Sequence, residues 1–462
     1  MSGNDGDPKP SEQVRERLDG PRPFLAAVFL ASYAASSFAP GSVGTDVLLV
    51  VGVVLYAMSV PWASAFHKGL AIVALVVLGV TIALGKFDAE AFVSGLPSYF
   101  DVVAVLLILS AAGYPIRAAR YEAQIRSLVA AARRRGLGTN ATAGGIGHVL
   151  GAALDVGAFV LVDIVSRRAA PRGRVEALTW AGRAFSFAPL WTNLNVFTAT
   201  TITLTGASYA GFLSLTLPFV VLGLATTLFF AQREKEEPED VRDEPVPLDR
   251  GAVAVLLYPV VLVAAVALVN WLLPTIPLTA AISVTVAVVV VLISVIATIL
   301  TGGSSPARRL GRETRDSLTA SHAEFALFGS AGVLVLSLTQ LGALEPVGNL
   351  LSTLPPFLVA PTLALTMAAG FVAGIHVIPM VLLIDTAFPL DGGQNPALWA
   401  AAILLGAQSA ILLTPFSSAV TMLSRLSGLH PLEIGPKKNW RFEAAVALGA
   451  VLYLGFLTLL LL

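Results

Sequence analysis

The sequence predicts an all-α polytopic membrane protein, and three features carry that prediction. Of its 462 residues 56% are hydrophobic and 13% charged, where a soluble domain carries about 25% charged residues. The charges are also bunched: 46 of 58 fall in six blocks, at 1–22, 117–135, 167–176, 233–250, 308–324 and 425–443. Between the blocks run apolar stretches long enough to cross the hydrocarbon as helices, which satisfy their own backbone hydrogen bonds there.

Composition also narrows the chemistry. Lys+Arg and Asp+Glu are equal at 29, so no net field recruits nucleic acid or an acidic partner. The absence of Cys removes disulfides, thiolate catalysis and Cys-ligated metals. The five His, at 67, 148, 322, 376 and 430, form no HExxH pattern, and neither GxSxG nor a nucleotide-binding loop is present. Neither an enzyme nor an ATP-driven pump is expected.

Taken in chain order, residues 1–22 read as a solvated tail of mixed charge, lacking the apolar core of a signal peptide. Eleven spans are expected at 23–40, 45–64, 69–86, 97–116, 177–205, 208–231, 252–273, 278–300, 325–343, 397–425 and 444–462. Segments 141–166 and 359–386 remain, each readable as one crossing or as two short helices folded back. If 141–166 folds back, the basic loops on either side face the same compartment. With the N-terminus inside, 27 of the 29 Lys and Arg then face the cytoplasm, leaving Lys86 outside and Arg183 within a span. The positive-inside rule therefore favours a hairpin at 141–166 opening inward, and the same count makes 359–386 a hairpin opening outward. The C-terminus falls outside, and the acidic segment 233–250 is a cytoplasmic connector.

The two halves mirror each other. PLWTNLNVF at 189–197 resembles PFSSAVTML at 415–423, and FVLVDIVSRRAAP at 159–171 resembles VLLIDTAFPL at 381–390. Repeats are expected over 23–232 and 251–462, each holding a hairpin and an interrupted helix (177–205 and 397–425), in opposite orientation. Inverted repeats place a substrate site at their interface near the midplane, which implies a carrier. Pro189 and Pro415 each remove a backbone donor, and Thr192, Asn193 and Asn195 follow the first while Ser417, Ser418 and Thr421 follow the second. Such neutral oxygens suit a desolvated Na⁺, expected near Asn195 and Thr421, or the hydrogen-bonding shell of an anion. The same prolines can also merely kink helices whose polar residues bond their neighbours.

At the hairpin tips stand Asp155 beside Gly157, and His376 before Pro379. An ionisable residue within a membrane segment is costly and marks function by default. Asp155 is suited to a cation or a proton and His376 to an anion or a proton, though either residue type also caps short helices. Arg183 reads as snorkelling to the cytoplasmic face or meeting an anionic substrate. Asp163 and Asp385 read as interfacial, and Gly144, Gly145, Gly147 and Gly151 as packing residues.

On these residues the chain resembles the ion transporter superfamily of divalent anion/Na⁺ symporters, arsenite and Na⁺/H⁺ antiporters and large membrane subunits of tripartite transporters. The most specific part is ALTWAGRAFSFAPLWTNLNVFTATTITLTGASYAGFLSLTLPF at 177–219, where Thr192 and Asn195 fall on the family's Thr and Asn, and LTQLGALEPVGNLL at 338–351 is a second match. The resemblance implies a scaffold region that dimerises, a transport region moving as an elevator, and coupling to Na⁺ or H⁺. At the tips the family's Ser-Asn-Thr is replaced by Leu154-Asp155-Val156 and Ile375-His376-Val377. The expected function is a secondary transporter in the cytoplasmic membrane, moving a small anionic solute with Na⁺ or H⁺ and needing no cofactor. Two alternatives stand beside it: a Na⁺/H⁺ antiporter using Asp155, and the membrane subunit of a multi-component transporter.

Overall fold

The computed structural model describes residues 20–39, 42–112, 122–169, 173–234, 250–273, 276–301, 305–343, 345–346, 349, 353–373 and 395–461. Among the described residues the chain is helical, with no strand. Eight helical stretches among the described residues are long and apolar enough to cross a membrane: Val43–Trp62, Ala65–Ala83, Ala89–Leu109, Thr139–Ile164, Tyr209–Arg233, Leu278–Ile296, His322–Leu341 and Glu433–Leu461. Shorter apolar helices cover Val196–Thr205, Leu257–Leu272, Pro356–Val372 and Pro396–Gln408. The protein is a multi-pass membrane protein. Its outer faces stay apolar where a soluble helix would turn polar, as at Ile72, Val76 and Val80 or Leu448, Leu452 and Leu459, all well exposed. Seven of these stretches fall on expected spans, Thr139–Ile164 is the expected hairpin segment, and the expected spans 177–205 and 397–425 are each broken in two.

The chain forms two compact units, each drawing on both sides of the 233–250 connector: unit one comprises residues 1–111 and 291–343, unit two 112–290 and 344–462. Sequence halves and compact units therefore cut across each other. Residues 235–249 of the connector, and the hairpin 359–386 beyond Ala373 with His376 and Asp385, lie outside the described residues.

Unit one contains α1 (Arg22–Phe38), α2 (Val43–Ser59), α3 (Ala65–Ala83), α4 (Ala89–Gly95), α5 (Pro97–Ala112), α14 (Ser305–Ala320) and α15 (His322–Leu341). α15 packs against α2 and α3. Gly329 makes the contact with α2 possible, since a Cβ on it would stand 2.4 Å from the Tyr56 ring, and Gly332 makes room for Tyr99 of α5, whose ring would lie 2.8 Å from a Cβ there. Arg22 is wholly buried and donates to Ser59 Oγ at 2.9 Å, so the expected solvated tail ends inside the unit.

Unit two contains α6 (Glu122–Arg134), α7 (Thr139–Leu154), α8 (Ala158–Ala169), α9 (Arg174–Phe185), α10 (Val196–Thr205), α11 (Tyr209–Arg233), α12 (Arg250–Leu272), α16 (Pro356–Val372), α17 (Pro396–Gln408), α18 (Ser418–Ser427) and α19 (Lys438–Leu461); α13 (Leu278–Thr301) runs from this unit into the other. Between α7 and α8 the turn Asp155–Gly157 reverses the chain, and the two helices pack against each other. The expected span 177–205 is two helices separated by a turn at Ala188–Leu190 and an irregular stretch to Asn195. The expected span 397–425 is likewise two helices, interrupted at 409–417.

Candidate functional site

Within unit two, the α7–α8 tip and both helix interruptions converge. The link to the first interruption is a hydrogen bond: Thr192, 1% exposed, donates from Oγ1 to the Ala152 carbonyl at 2.9 Å, one turn before the tip. Its oxygen also accepts Leu194 N–H at 3.1 Å, which closes a tight turn. The link to the second is packing, because the tip turn lies against α18. α9 also packs on α18, and Gly182 permits it: a Cβ there would sit 2.9 Å from Leu423 Cδ1.

Each interruption restarts in the same way. Asn195 is the N-cap of α10, its Oδ1 accepting from Phe197 N (3.0 Å) and Thr198 N (3.4 Å). Ser417 is the N-cap of α18, accepting from Val420 N at 3.1 Å. Upstream, Thr414 Oγ1 accepts Phe416 N–H at 3.3 Å, just as Thr192 accepts Leu194 N–H. The hydrogen bonds therefore pair Thr192 and Asn195 with Thr414 and Ser417, whereas the sequence comparison through the prolines pairs them with Ser418 and Thr421. Both helices end on a glycine in the left-handed region, Gly206 (φ 66°) and Gly428 (φ 78°).

Not every candidate oxygen remains open. Thr192, Asn195 and Ser417 are committed to these turns and caps. Asn193, 0% exposed, donates from Nδ2 to Val263 O at 3.1 Å, while its Oδ1 is buried without a partner. Thr200, Thr201 and Gln408 also carry buried oxygens without a hydrogen-bond partner, and their helices α10 and α17 pack together. Ser418 and Thr421 stand on the exposed side of α18. Gly157 is neither crowded nor positive in φ, a Cβ there meeting only Leu154 Cβ at 3.8 Å.

Asp155 differs from all of these. It is exposed at the tip and adopts φ 50°, ψ −139°, the only non-glycine with positive φ among the described residues. An L-residue is strained by about 1–3 kcal/mol in such a region.

Several site residues escaped the sequence reading. His148 of α7 bridges the hairpin and the first interruption: its Nδ1 is 2.9 Å from the Ala184 carbonyl, which can only accept, and its Nε2 accepts Trp191 Nε1–H at 3.0 Å. These bonds select the neutral imidazole protonated at Nδ1. Tyr209 Oη donates to the Trp191 carbonyl at 2.5 Å. The isolated His in GGIGHVLG was the available signal, but only the fold supplies its partners.

Arg183 does not stand free. It donates to Asn439 Oδ1 and to the Lys438 carbonyl, each at 2.9 Å, and lies 4.4 Å over the Trp180 ring. Asp163 is buried and bridges Arg167 (2.8 Å) and Arg174 (2.5 Å), and Arg174 donates to the Leu426 carbonyl. The α8–α9 corner is thereby tied to the end of α18. Of the four glycines, Gly147 and Gly151 do permit close packing, with Cβ positions 2.9 Å from Ala181 Cβ and 2.5 Å from the Phe185 ring, whereas Gly145 faces open space.

Comparison with known proteins adds a fold. No family model and no curated protein matches the sequence. The crystal structure of the Alcanivorax borkumensis YdaH transporter, noted for an unusual topology, aligns with a TM-score of 0.50 at 14% identity, over 85% of this chain and 98% of that one. The likeness is one of fold. It takes in nearly all of the neighbouring chain.

Proposed function

We propose that this protein is a secondary active transporter that moves a small, anionic solute across the cytoplasmic membrane, coupled to Na⁺ or H⁺. The observation that carries the reading is the meeting of a hairpin tip with two interrupted, side-chain-capped helices in one unit. Interrupted helices are costly in lipid and persist where protein, water or ligand completes their backbone bonding. Helix N-termini such as those of α10 and α18 present N–H groups and partial positive charge to an anion. Of the oxygens expected from the sequence, Asn193 Oδ1 and the hydroxyls of Ser418 and Thr421 are left for solute or ion. On this reading unit two is the moving part of an elevator and unit one its scaffold, acting as a homodimer. The transporter fold of the structural neighbour supports the class of function and says nothing of the solute.

The test is thermal stabilisation of the purified protein across carboxylates and oxyanions, with and without Na⁺, followed by uptake into liposomes. A stabilising anion that is also taken up supports the proposal. Uptake unaltered in Asn193→Leu and Thr421→Ala places the site elsewhere, and no uptake by the protein alone favours a subunit of a larger transporter. Asp155, strained and exposed, favours one second reading, a Na⁺/H⁺ antiporter. That reading requires ΔpH dissipation without solute, abolished in Asp155→Asn.

A further inference from the structure

Glu443 entered the sequence reading only as one charge of the 425–443 block, yet its side chain is 0% exposed. It stands in the first turns of α19 and reaches the second interruption, where Oε1 accepts Leu412 N–H at 3.2 Å. Its other oxygen, Oε2, is buried without a hydrogen-bond partner. A carboxylate removed from water needs several donors to offset its desolvation, and one backbone N–H does not supply them.

The charged surroundings are sparse. α19 packs against α9, α11, α16, α17 and the π-helical turn Glu433–Lys437. Neither α16 nor α17 contains an Asp, Glu, Lys, Arg or His. From α9, Arg183 acts on Glu443 electrostatically, but its hydrogen bonds go to Asn439 and Lys438, and Glu234 competes for the same charge. Glu176 of α9 is paired with Lys438 at 3.3 Å. Arg233, at the end of α11, lies 4.2 Å over Phe229. Glu433 and Lys437 belong to the π-helical turn itself.

We propose that Glu443 is a proton-binding site coupled to the second helix interruption. Ionised, it holds the Leu412 amide and balances Arg183. On taking a proton from solvent at Oε2 it becomes neutral, loses its hold on Arg183, and gains a hydroxyl that donates to a carbonyl of the interrupted turn. The charge of one side chain is thus linked to the conformation of the segment that caps α18. This rests on the transporter reading and gives its coupling ion a place. It requires no solute for its test, so the two can fail separately.

The test is infrared difference spectroscopy of the purified protein stepped from pH 5 to pH 9, following the protonated-carboxyl C=O stretch. A band that titrates in the wild type, persists in Asp155→Asn and in Glu324→Gln, which removes the other carboxyl with a buried, unpartnered Oε2 among the described residues, and is lost in Glu443→Gln is the expected result. Persistence of the band in Glu443→Gln, or its absence from the wild type at every pH, overturns the proposal. The second outcome would make Glu443 a permanently ionised partner of Arg183. If Glu443→Gln does not fold, Glu443→Asp made with glutamate labelled at the side-chain carboxyl carbon replaces it: the isotope shift that marks the wild-type band must then disappear. An isotope shift retained in that variant rejects the assignment.

Discussion

Single residues at this site balance local cost against function, and Asp155 states the balance most openly. Replacing it with glycine removes the penalty of its positive φ, and the gain of about 1 kcal/mol is expected in equilibrium unfolding in detergent. The same substitution is expected to abolish transport. A variant that is more stable and still fully active would leave the strain without a functional reason. Trp191→Phe probes the opposite case. It strips the donor from His148 Nε2, a buried acceptor, and a loss of about 1–3 kcal/mol follows from leaving such a group unsatisfied.

Helices here are decided at their ends and at their closest approaches. Asn195→Ala and Ser417→Ala each remove the side-chain cap of a restarted helix. Each is expected to cost about 0.5–2 kcal/mol, and faster amide exchange confined to the first turn of α10 or of α18 is the local signature. α17 and α16 approach so closely that a Cβ on Gly406 would lie 2.1 Å from the Ala364 carbonyl oxygen. Gly406→Ala must therefore push the two helices apart, at about 1–3 kcal/mol, whereas Gly145→Ala, which meets nothing within 4 Å, is expected to be neutral. Equal effects of the two would contradict the packing.

For the molecule as a whole, the testable statement is topological. A chain without Cys is a clean background for labelling, and Leu137→Cys and Gly173→Cys are expected to react with an impermeant reagent from the same side of the membrane. Labelling from opposite sides would make Thr139–Ile164 a full crossing and remove the hairpin from the argument. At this scale the sequence was most legible. Six charge blocks and the apolar runs between them suffice to declare a multi-pass helical protein, because lipid admits few backbone arrangements. Legibility fell toward the site. The prolines at 189 and 415 marked both interruptions, yet proline position did not give the register in which they correspond; the hydrogen bonds of Thr192 and Thr414 did. Glu443 was only counted as a charge, and a count is blind to burial.

By itself, then, the sequence determined what solvent the chain meets, since hydropathy is a property of each residue and adds along the chain. It also determined where helices stop, since Pro, Asn, Ser and Gly act on backbone atoms within a few positions of their own. The tertiary structure alone decided which polar atoms are consumed and which stay open. A hydrogen-bond partner such as Ala152 for Thr192, Val263 for Asn193 or Leu412 for Glu443 lies tens of residues away, and only folding sets that distance.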